Sequence, residues 1–312
     1  MAVASRGDCT HSPGVNFPHL AYGTPRKLPR PHQLPGRVVV LDIAFAANAG
    51  GATFDKVTLP FITGLGDRLA MWIDHHDHDR QADYANDPRF VLRTKAQHGA
   101  CPEMVTPERV ALAGDIDTIC CHGDFDGLCS AAKWITGGKE PYSGADDDAR
   151  AIDTRLGRPS ERATRVDRAL RARFRDDALK TEVVHYFVSG VPDFEFFTRI
   201  RSAAEEYDAI EAEAERLSLD YRVDDGYAIC DASRRRGPYD RTTLLMLGQE
   251  RAPISVVYDE STVTIAARFD SGIDLVSMLG LDGGMPTRVS LDKKRLPDVI
   301  ARLRKDAQRL SP

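Results

Sequence analysis

Acidic and imidazole side chains stand at the ends of three apolar segments of the chain. The first segment, RVVVLDIAF, carries Asp42, and the second, LAMWIDHH, ends at Asp74, His75 and His76. The third segment, IDTICCHGDFDG, adds one histidine and two aspartates: His122, Asp124 and Asp126. Imidazole and carboxylate groups bind divalent metals and transfer protons in hydrolysis. Their recurrence predicts a polar site to which three separate segments contribute.

A bound metal is the simplest reason to bring these groups together. Converging carboxylates repel one another in a partly dry cleft, and divalent cations relieve that repulsion. A mixed set of His and carboxylate ligands suits Mn²⁺ or Fe²⁺ better than Mg²⁺, which prefers oxygen ligands. Each segment alone has another explanation: Asp42 as a helix N-cap, the aspartates beside Gly127 as turn residues, and DHHDHDR as a solvated loop. Their joint occurrence at successive strand ends favours the metal site.

The three segments alternate with helical patterns. RVVVLDIAF is a β-branched run typical of a buried parallel strand, and GLCSAAKWITGG is typical of a helix that begins directly after the third strand. Alternation of this kind predicts an α/β fold with a mostly parallel sheet. Ligands of such sheets bind at the carboxyl ends of the strands, where Asp42, His75 and His122 stand.

The chain divides into four regions. Residues 1–36 contain many prolines and predict an extended arm, either disordered or laid over the body. Residues 37–192 are predicted to form the α/β domain that carries the polar site. Residues 193–222, with FTRIRSAAEEYDAIEAEAERL, predict a helical linker, and residues 223–312 predict a smaller C-terminal α/β domain.

Composition excludes several classes of protein. The chain has 312 residues, of which 42% are hydrophobic and 29% charged, so it is neither disordered nor collagenous. Its net charge of −5 gives no overall basic signature for duplex nucleic acid. No apolar run approaches the ~18 residues of a membrane span. Six scattered cysteines and an N-terminus without an apolar signal segment lead us to expect a cytoplasmic protein.

The motifs resemble those of the DHH phosphoesterase superfamily. WIDHHDHD resembles its signature motif, CHGDFDGLCSAA its His-x-Asp-x-Asp-Gly motif, and VVVLDIA its strand-end aspartate. The family's fourth motif, an Asp-Thr pair, is best matched by Asp153 in AIDTR, with Asp147 and Asp148 as rivals. Residues 223–312 resemble the DHH-associated domain. Family members usually have the His-x-Asp-x-Asp-Gly strand first, so this chain resembles a circularly permuted member.

The resemblance implies two Mn²⁺ ions. One would be held by His122, Asp124 and Asp42, and the other by Asp126, Asp42, His75 and Asp153. Asp42 would bridge the two ions. Asp74 and His76 would be the catalytic residues, with His76 facing the scissile phosphate.

The resemblance also implies substrate contacts, assigned to Arg268, Gly283, Gly284, Arg288 and His98. The family's glycine-rich loop commonly has a histidine after the glycines, where Met285 and Pro286 stand here. Arg288 could supply the missing phosphate contact, because its planar guanidinium matches phosphate oxygens. Alternatively, the change marks a different substrate.

The function implied is Mn²⁺-dependent hydrolysis of phosphodiesters: short oligonucleotides, single-stranded nucleic acid or dinucleotides. Two alternatives stay open, a pyrophosphatase or polyphosphatase and a non-catalytic nucleotide-binding module. The expected partner is a phosphate-ester substrate and not a membrane, and a homodimer is compatible with the sequence.

Overall fold

The chain folds around two five-stranded sheets, one in each half of the molecule. The structure is a computed structural model that describes residues 17–47, 51–192 and 197–310. The first 16 residues of the predicted arm lie outside the described residues.

The first sheet is entirely parallel, with its strands in the order β1-β6-β2-β3-β5. These strands and the short strand β4 are β1 (His19–Gly23), β2 (Val38–Leu41), β3 (Leu69–Asp74), β4 (Asp77–His78), β5 (Phe90–Leu92) and β6 (Thr118–His122). The side chains of β2 are fully buried, as expected for a central parallel strand covered on both faces. The predicted α/β fold with a mostly parallel sheet is therefore confirmed.

Helices cover both faces of this sheet. They are α1 (Leu59–Leu65), α2 (Pro107–Ala113), α3 (Phe125–Ile135), α4 (Ala145–Thr154), α5 (Glu161–Ala172) and α6 (Asp177–Val188). Successive side chains of a strand point to opposite faces, so Val38 and Val40 belong to the core with α1, while Val39 and Leu41 belong to the core with α3, α5 and α6. Two apolar layers thereby fix the strand ends relative to each other.

Part of the predicted arm is a strand of the sheet. Strand β1 pairs along its whole length with β6, from His19 opposite Thr118 to Gly23 opposite His122. It covers the outer edge of β6, which would otherwise expose unpaired backbone groups. The sequence predicts no strand here, because five residues between prolines, of which only Gly23 is buried, form no recognisable apolar run.

The second sheet has the order β12-β10-β9-β8-β7 and is mixed, with only β8 and β9 parallel. Its strands are β7 (Arg222–Asp224), β8 (Tyr227–Asp231), β9 (Ile254–Tyr258), β10 (Thr262–Ala267) and β12 (Arg288–Asp292), and the two-residue β11 (Gly283–Gly284) lies apart. The helices of this half are α7 (Thr198–Ser218), α8 (Arg241–Gln249), α9 (Leu275–Leu279) and α10 (Leu296–Leu310). Within the described ranges, no helix has the length and apolar character needed to cross a membrane.

A buried carboxylate joins the two halves. Asp240 caps the N-terminus of α8 by accepting hydrogen bonds from the backbone of Thr242 and Thr243. Its other oxygen lies 3.0 Å from Nη1 of Arg171 on α5 and 2.6 Å from the hydroxyl of Tyr207 on α7, which donates to it. Burial raises the pKa of Asp240, but Arg171 and Tyr207 outweigh burial and hold it below its usual value.

We expect Asp240→Asn to lower the free energy of unfolding by about 2 kcal/mol at pH 7, because it removes the charge but keeps the helix cap. The stabilisation by Asp240 is complete above its unfolded pKa of about 3.9 and is lost as the pH falls through the lower folded value. Urea unfolding should therefore show a difference between variant and wild type that narrows below about pH 4. Glu260→Gln, which breaks an exposed pair with Arg235, is the control and should leave the midpoint nearly unchanged. A full difference persisting at pH 2 would contradict the ion pair.

Candidate metal centre

Asp42 lies at the centre of the polar site because β2 lies between β6 and β3 in the sheet. Asp42 directly follows β2, His122 ends β6, and His75 directly follows β3. The Nε2 atom of His75 is 3.2 Å from Oδ1 of Asp42, and Nδ1 of His122 is 3.7 Å from Oδ2 of Asp42. The three strand ends therefore meet, although their order along the chain differs from their order in the sheet.

The structure brings together all six residues predicted as metal ligands. Together with His76, which was predicted as catalytic, they form three groups whose ligand atoms lie within 4.8 Å of one another: Asp42, His75 and His76; Asp42, His122 and Asp124; His75, Asp126 and Asp153. Such clusters of carboxylates and imidazoles could bind metal ions.

Of the three aspartates proposed for the fourth motif, only Asp153 belongs to one of these groups. Asp153 stands near the C-terminus of α4. Asp148 instead accepts hydrogen bonds from Ser160 and from the hydroxyl of Tyr142, and Asp147 is exposed. The geometry therefore favours Asp153.

Asp42 has the environment of a metal ligand. Its side chain is 1% exposed, yet neither carboxylate oxygen accepts a hydrogen bond from any residue in the described part of the chain. Burial raises the pKa of Asp42, but the neighbouring imidazoles of His122 and His75 outweigh burial and hold it well below its usual value. Buried anions normally have partners, and a cation at this carboxylate would supply one. The donor set of this chain thus fits a divalent metal such as Mn²⁺.

Charges of both signs perturb the rest of the cluster. Burial and the charge of Asp42 raise the pKa of Asp126 well above its usual value. Burial lowers the pKa of His122, but Asp124 and Asp42 outweigh burial and raise it well above its usual value. A bound divalent cation would replace the imidazole protons as the counter-charge of these carboxylates.

The start of α3 is built for close approach to this cluster. Asp124 caps α3 by accepting a hydrogen bond from the backbone N–H of Gly127, at 3.3 Å. A Cβ at Gly127 would lie 2.5 Å from the carbonyl oxygen of His122 and 3.0 Å from Oδ2 of Asp42. The role of Asp124 as a turn residue and its role as a metal ligand are therefore compatible. One carboxylate oxygen caps the helix, and the other can bind a metal.

His75 is fixed by the backbone of a distant segment. It is completely buried, and its Nδ1 lies 2.9 Å from the carbonyl oxygen of His98. Since a carbonyl oxygen only accepts, Nδ1 donates to it and Nε2 faces the cluster, where its lone pair could bind a metal. The imidazole of His98 pairs with Glu103 at 3.2 Å, so His98 contacts the cluster through its backbone carbonyl group. Phosphate binding by that imidazole stays a prediction.

His76 is held by Asp74. Its Nδ1 lies 2.8 Å from Oδ1 of Asp74, which is completely buried, and the His76 side chain is 23% exposed. Hydrogen bonding at Nδ1 leaves Nε2 of the partly exposed ring available to a ligand.

We expect Asp74→Asn to lower kcat of the hydrolysis predicted from the sequence about 10- to 100-fold, because an amide does not hold the His76 imidazole in the same orientation and tautomer. Metal content should stay unchanged, since Asp74 belongs to none of the ligand groups. Steady-state kinetics with metal analysis checks this, with Asp79→Asn, an exposed position in the same segment, as the control. An equal loss in both variants would contradict the positioning role of Asp74.

The cluster contains a lysine that the sequence does not predict. Lys95 lies in the loop after β5, its side chain is 2% exposed, and its Nζ is 3.1 Å from Nε2 of His75. The same ammonium group forms an ion pair with Asp153. No local pattern in RTKAQHG distinguishes this lysine from a surface residue, so only the folded chain reveals it.

A cleft of about 400 Å³ opens beside the cluster, between the two halves of the molecule. Asp124 and Asp153 line it on one side, and Arg288 and Arg268 line it on the other. Arg268 is 65% exposed and pairs with Asp270 at the rim. This volume lies within the range of about 300–1,000 Å³ that small-molecule sites occupy.

The cleft contains an arginine that sequence analysis did not identify. Arg155, at the C-terminus of α4 with a φ of 62°, lines the cleft together with Arg288. Burial and repulsion from Arg155 lower the pKa of Arg288 to about 10, and burial with repulsion from Arg171 lowers that of Arg155 to about 10. Both stay charged at neutral pH, so this side of the cleft can bind an anion.

The glycine-rich loop contacts the DHH segment directly. Gly283 pairs with His78, and Gly284 pairs with Asp77, in a two-stranded antiparallel ladder. A Cβ at Gly283 would lie 2.6 Å from the His78 ring, so this approach requires glycine. The segment predicted to carry the site and the loop predicted to bind the substrate are therefore adjacent in space.

Comparison with known proteins shows a partial structural similarity. No protein-family model matches the chain, and no curated protein matches its sequence. Among solved structures, the chain is similar to PggH, a pGpG-specific phosphodiesterase from Vibrio cholerae, with a TM-score of 0.38 and 11% sequence identity. The similarity covers 52% of this chain and 66% of that chain, slightly less than two thirds of its length. The function of this chain must therefore be argued from its own residues.

Proposed function

We propose that this chain is a DHH-type phosphoesterase that hydrolyses phosphodiester bonds with a divalent metal, for which Mn²⁺ is the best fit. The observation that carries the proposal is the buried carboxylate of Asp42, which has no hydrogen-bond donor among the described residues and is surrounded by His75, His122 and further aspartates. A bound metal would act as a Lewis acid and lower the pKa of a coordinated water.

The chain's own residues would position the substrate. In this proposal the guanidinium groups of Arg288 and Arg155 bind phosphate oxygens in the cleft, as planar fork-shaped donors do. Asp74 holds the imidazole of His76 so that its outer nitrogen faces the scissile phosphate. Phosphoryl transfer needs mainly positioning and neutralisation of charge, and these groups supply both.

The volume and charge of the cleft favour a small nucleotide-like diester. A space of about 400 Å³ suits a short ligand better than a long duplex, and the acidic net charge gives no broad phosphate-binding surface. The substrate class proposed is therefore a dinucleotide or the end of a short single strand, bound with one phosphate at the metal centre and another at the arginines.

Hydrolysis assays test this proposal directly. The purified chain with Mn²⁺ should hydrolyse bis-p-nitrophenyl phosphate and short oligonucleotides, and EDTA should abolish both activities until Mn²⁺ is restored. Faster phosphate release from pyrophosphate than from either diester would favour the phosphoanhydride alternative. Nucleotide binding in calorimetry without turnover in any divalent metal would favour the non-catalytic module and overturn the proposal.

A further inference from the structure

We propose that the ammonium group of Lys95 takes the place of one metal ion in this centre, so that the chain binds one divalent cation and not two. The inference rests on the proposed metal-dependent function and concerns the number of ions that serve it. It departs from the two Mn²⁺ ions that the sequence motifs imply.

Lys95 lies against two residues of the third ligand group. The side chain of Lys95 is 2% exposed, and its Nζ contacts Nε2 of His75 at 3.1 Å and forms an ion pair with Asp153. His75 and Asp153 are two of the three residues in the third ligand group, and Asp126 is the other. The ammonium therefore contacts the same atoms that a metal in this group would coordinate.

Lys95 and a metal ion would compete for the same nitrogen of His75. An ammonium group has three donors and no acceptor, so Lys95 can approach Nε2 of His75 only by donating to its lone pair. The opposite nitrogen of His75 faces the carbonyl oxygen of His98, which requires the proton to be on that side. Nε2 thus has one lone pair, and an ammonium and a metal ion cannot both use it.

Among the described residues, no lysine or arginine pairs with the carboxylates of the second ligand group. Asp42, His122 and Asp124 have ligand atoms within 4.8 Å of one another. In the part of the chain that the structure describes, the ion pairs of Asp42 and Asp124 are formed with histidines and not with a lysine or arginine. This group therefore keeps its oxygens available to a divalent cation.

The position of Lys95 is also secured by its backbone. The N–H of Lys95 donates to Oδ2 of Asp77 at 3.2 Å, and Asp77 belongs to the strand that pairs with the glycine-rich loop. The lysine is thus tied to the same segment as His75 and His76. A fixed internal cation neutralises Asp153 without any requirement for a second metal.

Metal stoichiometry and electron paramagnetic resonance test the inference without an activity measurement. After equilibrium dialysis against Mn²⁺, we expect wild type to hold one Mn²⁺ per chain with the six-line spectrum of an isolated ion. Lys95→Met should hold two ions with a spectrum broadened by exchange coupling. Lys133→Met removes another buried lysine, which pairs with Asp146 at 2.5 Å outside the cluster, and should hold one ion.

The outcomes separate this inference from the proposed function. Two coupled ions in wild type would overturn the role of Lys95 and leave the phosphoesterase proposal standing. One ion in wild type and two in Lys95→Met, without hydrolysis of any diester, would support the role of Lys95 and overturn the proposed function. No bound ion in wild type would overturn both. If Lys95→Met does not fold, the wild-type stoichiometry still decides between one ion and two.

Discussion

Replacing Asp42 with asparagine is expected to lower kcat/KM for diester hydrolysis by at least about 10³-fold, equivalent to about 4 kcal/mol in the activation barrier. Asp42 belongs to two of the three ligand groups and lies between the other strand ends, so its loss affects the whole centre. Asparagine offers a neutral amide oxygen in place of a carboxylate. Bound Mn²⁺ should fall in parallel with activity.

This substitution separates function from folding. Asp42 has a φ of 58°, in the left-handed region that asparagine also tolerates, so the backbone can keep its conformation. The circular dichroism spectrum should therefore match that of wild type. Asp115→Asn, the same change at an exposed position before β6, is the matched control and should keep full activity. An Asp42→Asn protein with more than about a tenth of wild-type activity would contradict the assignment.

The second large effect is expected at Arg288. Its guanidinium lines the cleft, donates to the hydroxyl of Thr242 at 3.0 Å and pairs with no carboxylate in the described part of the chain. Losing a buried charge-assisted contact to a phosphate costs about 2–3 kcal/mol, so Arg288→Met should raise KM about 30- to 150-fold. Because Arg288 belongs to none of the ligand groups, kcat should change much less.

Arg155→Met should have an effect in the same direction, because Arg155 lines the same cleft. If both arginines bind one phosphate, the double variant should raise KM by less than the product of the single effects. Arg304→Met, which removes an exposed arginine paired with Asp224, is the control and should leave KM unchanged. An unchanged KM in Arg288→Met would place the substrate elsewhere.

The parallel sheet could be predicted because its central strands are continuous apolar runs. The segments VVVL and LAMWID are fully buried, and an uninterrupted run of apolar residues is typical of a strand covered on both faces. The convergence of Asp42, His75 and His122 followed from one general rule, that the carboxyl ends of parallel strands share an edge of the sheet. That rule does not depend on the order of the strands along the chain.

Other elements could not be predicted because they exist only through partners distant in sequence. Strand β1 needs β6 to pair with, and β4 needs the glycine-rich loop at Gly283. Lys95 and Arg155 lie in short connecting segments, where a charged residue ordinarily points into water. Tertiary packing decides whether such side chains are buried. For that reason the sequence did not predict that Lys95 and Arg155 belong to the site.

Anomalous diffraction at the manganese edge tests the central claim most directly, because it locates the metal independently of any activity. Crystals soaked in Mn²⁺ should show an anomalous peak within coordination distance of the carboxylate of Asp42 and the imidazole of His122. A saturating soak that leaves this position without a peak, in crystals where Asp42, His75 and His122 are well ordered, would contradict the metal centre and the function proposed from it.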